Sequence, residues 1–294
     1  MRYFGWAWFF LMSISAWCQL EHPKASPFAT IAQEIGLSKI SVSYSRPAAR
    51  GRVLFGNQPN GQPGLVPNGR IWRVGANAST KITFDTDVSI LGNVLSKGTY
   101  ALYAFPEAEA WQLIFHNNIS HWGDGRQNYD PQEDALRVKV KPFRTLNFQE
   151  NFLISFDAIT HNGLEMLLTW GNLKMVIPIQ VDTPKMMEAQ IQKTLENNPT
   201  AQSYYEIARY YQEQGVNFKK ALDYVNLAIE LHGSTYYYHR IKSLLLADMG
   251  DHKNAILESE ISKKIAYKEG KDEFVRLSDN DILNWKKIKI KKEL

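Results

Sequence analysis

The sequence predicts an antiparallel β-sandwich followed by a helical, tetratricopeptide-like repeat domain. Three observations predict it. Between Ile40 and Ile179 apolar and polar residues alternate in about nine short runs, separated by pairs drawn from Gly, Asn and Pro. That is the pattern of strands that bury one face against a second sheet. At Thr183-Pro184 the texture turns helical, with Thr suited to cap a helix and Pro to open its first turn. Beyond that point Phe218-Lys-Lys-Ala221 and His252-Lys-Asn-Ala255 place a small residue 34 positions apart, the period of a tetratricopeptide repeat.

The totals fit such a chain. Of 294 residues, 44% are apolar and 22% charged, which argues for folded domains rather than disorder. A net charge of +4 is too small at this length to mark a nucleic-acid-binding surface. The first residues carry one Arg, an apolar run from Phe4 to Met12 and then small residues. This reads as a signal peptide over residues 1–18, with cleavage after Ala16 as the alternative, and is too short to span a membrane. Cys18 is the single cysteine, so the mature chain is expected to hold no disulfide, thiol nucleophile or cysteine metal site. A disulfide-free exported chain suits a bacterial periplasm or cell envelope.

Taken in order, residues 19–39 read as a polar lead-in, with one short turn at Ile31 to Leu37. The β domain is expected over 40–182. It opens on Ile40, Val42 and Tyr44, which share one strand face. A long connection follows, punctuated by Gly56-Asn57, Asn60-Gly61 and Asn68-Gly69, and leads to an expected strand at Arg70 to Val74. Short strands are expected at Lys81 to Phe84, Val88 to Ile90 and Val94-Leu95. Thr99 to Phe105 and Trp111 to His116 form a hairpin, and Leu136 to Phe143 alternates. Phe152 to Ile159, Glu165 to Trp170 and Leu173 to Ile179 read as a meander, with Gly171-Asn172 as a two-residue hairpin turn. Six helices fill 183–294, the last opened by a capping box of Ser278 and Asp281. The tail lysines (Lys286, Lys287, Lys289, Lys291, Lys292) read as a solvated helix end.

Two stretches hold candidate chemistry. Ser43 to Lys81 contains Arg46, Arg50, Arg52, Arg70 and Arg73 and no acidic residue. One reading is structural: guanidinium forks bind backbone carbonyls or the carboxylates of Asp124, Asp130, Glu133, Asp134 and Asp157, and so order a long loop. The other is a site for a carboxylate-, phosphate- or sugar-bearing ligand, with Arg46, Arg52, Trp72, Arg73, Asn77, His116 and Trp122 as its candidate residues. Trp111 and Tyr129 would add stacking faces. The second stretch holds His116, His121, Asp124, Asp130, Glu133 and Asp134, the residue types of an acid/base pair or a metal site. Their spacing matches no metal loop, so neither a metal nor a cofactor is expected, and a solvated polar loop is the plainer reading. The chain has no G-x-S-x-G, no H-E-x-x-H and no phosphate-binding loop.

Tyr44-Ser-Arg-Pro47, Gly51-Arg52, Phe55-Gly56, Val66-Pro67-Asn-Gly69, Ile71-Trp-Arg73, Gly75-Ala-Asn77 and Thr80 stand in this order. They are followed by Gly98-Thr-Tyr100, Phe105-Pro106, Trp111, Phe115-His-Asn117 and Trp122-Gly123. Over about Ile40 to Val181 this resembles the signature of a bacterial envelope family catalogued as domain of unknown function 2911. The resemblance implies an exported protein, sometimes with tetratricopeptide-like helices behind the domain. It implies no activity and supplies no catalytic residue. The expected function is therefore a non-enzymatic ligand-binding or protein-interaction scaffold, with a protein partner on the helical repeats and no nucleic acid. The alternative is a hydrolase- or lyase-like enzyme using His116 or His121 with Asp124 or Asp130.

Overall fold

The computed structural model describes residues 22–121 and 127–293, with side chains to residue 288. The expected leader with Cys18, the candidates Trp122 and Asp124, and the side chains of Lys289, Lys291 and Lys292 lie outside the described residues. The chain divides into two compact units at Thr183/Pro184, where the switch in texture stands.

The first unit is antiparallel β throughout its two sheets. Among the described residues ten strands run β1 (Phe28–Ile35), β2 (Ser38–Ser45), β3 (Thr80–Phe84), β4 (Val88–Ile90), β5 (Asn93–Leu95), β6 (Gly98–Phe105), β7 (Trp111–His116), β8 (Asp134–Val140), β9 (Phe143–Asp157) and β10 (Gly163–Gln180). One sheet has the order β1-β2-β3-β6-β7-β8 and the other β5-β4-β10-β9. Period-two alternation gives each sheet an apolar face. Tyr100, Leu102, Ala104, Trp111, Leu113, Phe115, Val138 and Val140 from the first join Phe152, Ile154, Met166, Leu168, Met175, Ile177 and Ile179 from the second in one buried cluster. The opposite parity of β6 and β7 is not given up to water. Ala101, Tyr103 and Ile114 form a second small cluster there with Ile71, and His116 shares that parity.

The structure corrects four expectations. The lead-in contains β1, which pairs along its whole length with β2. As an edge strand it turns Ala29, Ile31 and Ile35 inward and leaves the alternate residues exposed, so its apolar signal is diluted. Arg70 to Val74 is not a strand. It touches the sheet through a single bridge from Trp72 to Ala104, and Val74 sits at φ 50°, which ends any extended run. The Gly171-Asn172 pair is not a hairpin turn but lies inside β10, where the register against β9 shifts on both sides of Gly171. Gly171 is left-handed at φ 57°, the conformation of a bulge residue. The side chains that join the shared core show the slip directly: they are even-numbered up to Trp170 (Leu164, Met166, Leu168, Trp170) and odd-numbered from Met175 (Met175, Ile177, Ile179), because one extra residue reverses the faces. Lastly, Ser278 does not open the last helix but is buried within it.

Gly36 closes the tight turn between β1 and β2 at φ +53°. A Cβ there would collide with the His161 carbonyl and the Thr183 hydroxyl, so the turn needs glycine for both conformation and space.

The second unit holds α1 (Thr183–Glu196), α2 (Ala201–Gln214), α3 (Phe218–His232), α4 (Tyr236–Asp248), α5 (His252–Lys268) and α6 (Asp272–Glu293). Their starts follow from capping. Thr200 caps α2 in a reciprocal box with Ser203, and Thr235 and Asp251 cap α4 and α5 through Tyr238 N and Asn254 N. Gly215 in the left-handed region ends α2. Consecutive helices pack together, α2 on α3, α4 on α5 and α5 on α6. Ala221 and Ala255, the residues repeated at 34, are both fully buried. No helix among the described residues is long and apolar enough to cross a membrane.

Candidate functional site

The arginine-rich connection between β2 and β3 spends much of its polar chemistry on the backbone. Arg46 Nε donates to the Phe152 carbonyl at 3.0 Å, and Arg50 reaches the Ala25 carbonyl at 3.2 Å. Arg52 staples the loop to itself, bonding the Ala49 and Ala48 carbonyls at 3.1 and 2.7 Å. Asn77, left-handed at φ 60°, donates to the Ser26 carbonyl and Ser45 Oγ. Buried polar groups must be paired, and a segment with almost no ladder pairing meets that demand with side chains. The guanidinium groups of Arg46, Arg50 and Arg52 thus hold backbone carbonyls, one of the two kinds of partner the structural reading named.

Trp72 is part of the interior. It is 8% exposed, donates from its indole N–H to the Gly75 carbonyl, and meets Trp111, Phe152 and Trp170 with centroids 5.2–6.1 Å apart. Trp111 is likewise buried. Both rings pin the connection to the core, as aromatic pairs at this distance do, and are not open stacking walls. On the outer side of the same connection lies a cleft of about 440 Å³, flanked by Arg52, Arg70 and Arg73. Among the described residues that line it, none is acidic.

The histidines assemble elsewhere, at the end of β7 and on the connection to β8. Strand parity carries His116 onto the face of Ile114 and Tyr103, where it is fully buried. A register irregularity between Phe115 and His116 sets it opposite Asp134. Its Nδ1 lies 3.0 Å from Asp134 Oδ1. The other oxygen of Asp134 accepts from Tyr129 at 2.8 Å and Arg137 at 2.7 Å, and Arg137 also donates to Gln112. Burial, and then the hydrogen bond and charge of Asp134, push the Tyr129 phenol far above its ordinary range against the pull of Arg137, so it stays a donor. Arg137, which burial alone would make less basic, is pushed up by Asp134 and Tyr129.

The far nitrogen of His116, Nε2, faces Glu133 Oε2 at 3.3 Å. Glu133 comes from a single 3-10 turn (Pro131–Glu133), whose start Asp130 caps by accepting from Gln132 N. Asp130 is therefore committed to the turn and not to a histidine. Asn118 donates to the other Glu133 oxygen, and the Asn117 amide bonds the Glu133 carbonyl at 2.9 Å. His121 packs its ring 5.6 Å from that of His116 and is 8% exposed. One donor atom each from His116, His121 and Glu133 falls within a mutual 4.8 Å. Of the residues read as candidates, Arg52, Trp72 and Arg73 share the cleft. Arg46 and Asn77 tie the connection beside it, and His116 belongs to the second cluster.

A family model described as "Protein of unknown function (DUF2911)" matches residues 26–179. The chain belongs to this DUF2911 family. No curated protein and no solved structure matches the chain. The DUF2911 match begins ahead of β1 and ends within β10, so it takes in both the arginine connection and the histidine cluster. In this DUF2911 unit Glu133 and Asp134 stand with the histidines beside which the sequence places them, while Arg137, and the bond of Tyr129 to Asp134, have no mark in the sequence. One signal was present: Glu133-Asp134 directly precedes the strand that pairs with β7, so the two ends of the connection meet across the ladder.

Proposed function

We propose that the chain is an exported, non-enzymatic binding protein. Its DUF2911 unit takes a small anionic or glycan-like ligand in the arginine-flanked cleft, and its helical unit docks a protein partner in the manner of tetratricopeptide repeats. The observation that carries this reading is the cleft, with three flanking arginines and no acidic residue among its described lining. Guanidinium groups gathered around one concave surface favour an anion. Export rests on the charged and then apolar start of the sequence, and repeat docking on the buried pair Ala221 and Ala255 at the repeat period. The hydrolase- or lyase-like alternative has less support. Asp130 is occupied by its own turn, and Glu133 stands before the His116 nitrogen that would have to meet a substrate.

The test is a thermal-shift panel of carboxylates, phosphates and acidic sugars on the full chain, since a ligand of the native state raises its melting temperature. A shift is expected with an anion and is abolished in Arg70→Ala, whose side chain is exposed. A flat panel, or a shift that survives the substitution, overturns the cleft reading.

A further inference from the structure

We propose that His116, His121 and Glu133 form a binding site for a divalent transition-metal ion of the zinc type, with Asp134 as the positioning residue behind His116. This site is separate from the cleft, and the proposal does not depend on that reading.

The argument begins with His116. A carboxylate oxygen can only accept, so the contact from Asp134 places the imidazole proton on Nδ1 and leaves the Nε2 lone pair pointing the other way. Nε2 is buried and makes no hydrogen bond, yet it stands 3.3 Å from a Glu133 oxygen. A lone pair and a carboxylate oxygen at that distance repel each other. The juxtaposition is stable only if they share positive charge, either a metal ion or a second proton on His116.

His121 decides between these. Its Nδ1 is also buried without a hydrogen-bond partner. An imidazolium between Glu133 and Asp134 gives no role to a second imidazole in the same cluster, whereas a metal ion takes one of its ring nitrogens as a donor. Two imidazoles and a carboxylate suit zinc or a similar divalent ion, with a position left for water. Metal–ligand bonds of about 2.0 Å in tetrahedral array put donors roughly 3.3 Å apart. The His116–Glu133 pair already has that separation, and all three donors fall within 4.8 Å.

The surroundings match what metal-bound histidines require. Asp134 orients the ring through Nδ1 and is itself fixed by Tyr129 and Arg137, the outer-shell support that sets the tautomer and orientation of a ligand. Asn118 holds the far oxygen of Glu133. The Glu133 side chain is 41% exposed, so the cluster has a route to solvent.

The full chain, stripped with a chelator, is titrated with Zn²⁺ against a chromophoric competitor. One equivalent is expected to bind. Asp134→Asn lowers affinity by roughly 10–100-fold, and His121→Gln or Glu133→Gln lowers it further. His252→Gln, in the helical unit, leaves it unchanged. Co²⁺ gives the visible bands of a low-coordinate site in the parent chain and loses them in His121→Gln. Because His116→Ala opens a cavity in packed structure, the test rests on His121 and Glu133. No binding, or equal affinity in His121→Gln and the parent chain, overturns the proposal.

Discussion

The connection from β2 to β3 and the connection from β7 to β8 are both long, irregular and rich in charge, but they use that charge in opposite ways. In the first, Arg46, Arg50 and Arg52 end on backbone carbonyls and Asn77 on a carbonyl and a hydroxyl. Its cations act as extra ladder donors where no strand is available. In the second, the hydrogen bonds run outward from Asp134 through Tyr129 and Arg137 and stop short of two buried ring nitrogens. Polar groups that complete the fold cannot be removed without cost. Polar groups left uncompleted inside it cost stability as they stand, and they persist where something outside the chain completes them.

Breaking the first connection should give the largest effect. Trp72→Ala removes the ring that ties it to Trp111, Phe152 and Trp170 and should cost about 3–5 kcal/mol. Calorimetry should record this as a fall of roughly 10 °C in the melting temperature of the β unit. Arg46→Ala deprives the Phe152 carbonyl of its charged donor. The expected loss is about 1–3 kcal/mol by denaturant titration, and a neutral result would mean that the arginine is not part of the fold.

A third His–carboxylate pair, in the helical unit, sharpens the contrast. Both Glu258 oxygens are taken, one by His239 at 2.6 Å and one by Lys242 at 2.8 Å. Burial alone would raise the pKa of this carboxyl, but those partners together hold it below the ordinary 4.5. A depressed folded value means that its stabilisation is present above pH 4.5 and is lost as pH falls through the lower value. Helical circular dichroism should therefore show the melting temperature falling on acidification below that point, less steeply in Glu258→Gln. The smallest effect belongs to His121→Gln. With no hydrogen bond at Nδ1 to lose, the metal-stripped chain should change by about 1 kcal/mol or less. A large loss would place His121 with Arg46 as a structural residue and remove the contrast.

What could be read in the sequence followed range. Helix starts at Thr200 and Thr235 and the β6–β7 hairpin depend on residues a few positions apart, and they stand where alternation and capping put them. The Gly171-Asn172 pair shows the limit. Its local chemistry serves a two-residue turn or a bulge equally well, and the choice is made by β9, whose partners lie about twenty residues upstream. Arg46 was legible as a possible fastener of the loop, but not which carbonyl it holds, because a backbone acceptor has no sequence signature. His116, His121 and Glu133 form no spacing motif. They meet only because β7 and β8 are neighbours and the register slips at His116.

The turn at Gly36 bears on the order in which the β unit can be completed. The turn between the first two strands is seated against His161 and Thr183, and the end of β2 is tied to Ile154 and Phe152 through Tyr44 and Arg46. During synthesis from the amino end, the first hairpin therefore waits for almost the whole unit to leave the ribosome before it finds its seat. Contacts of such sequence separation make closure slow and late. A chain that closes this late keeps its first hairpin unseated until His161 and Thr183 have been made.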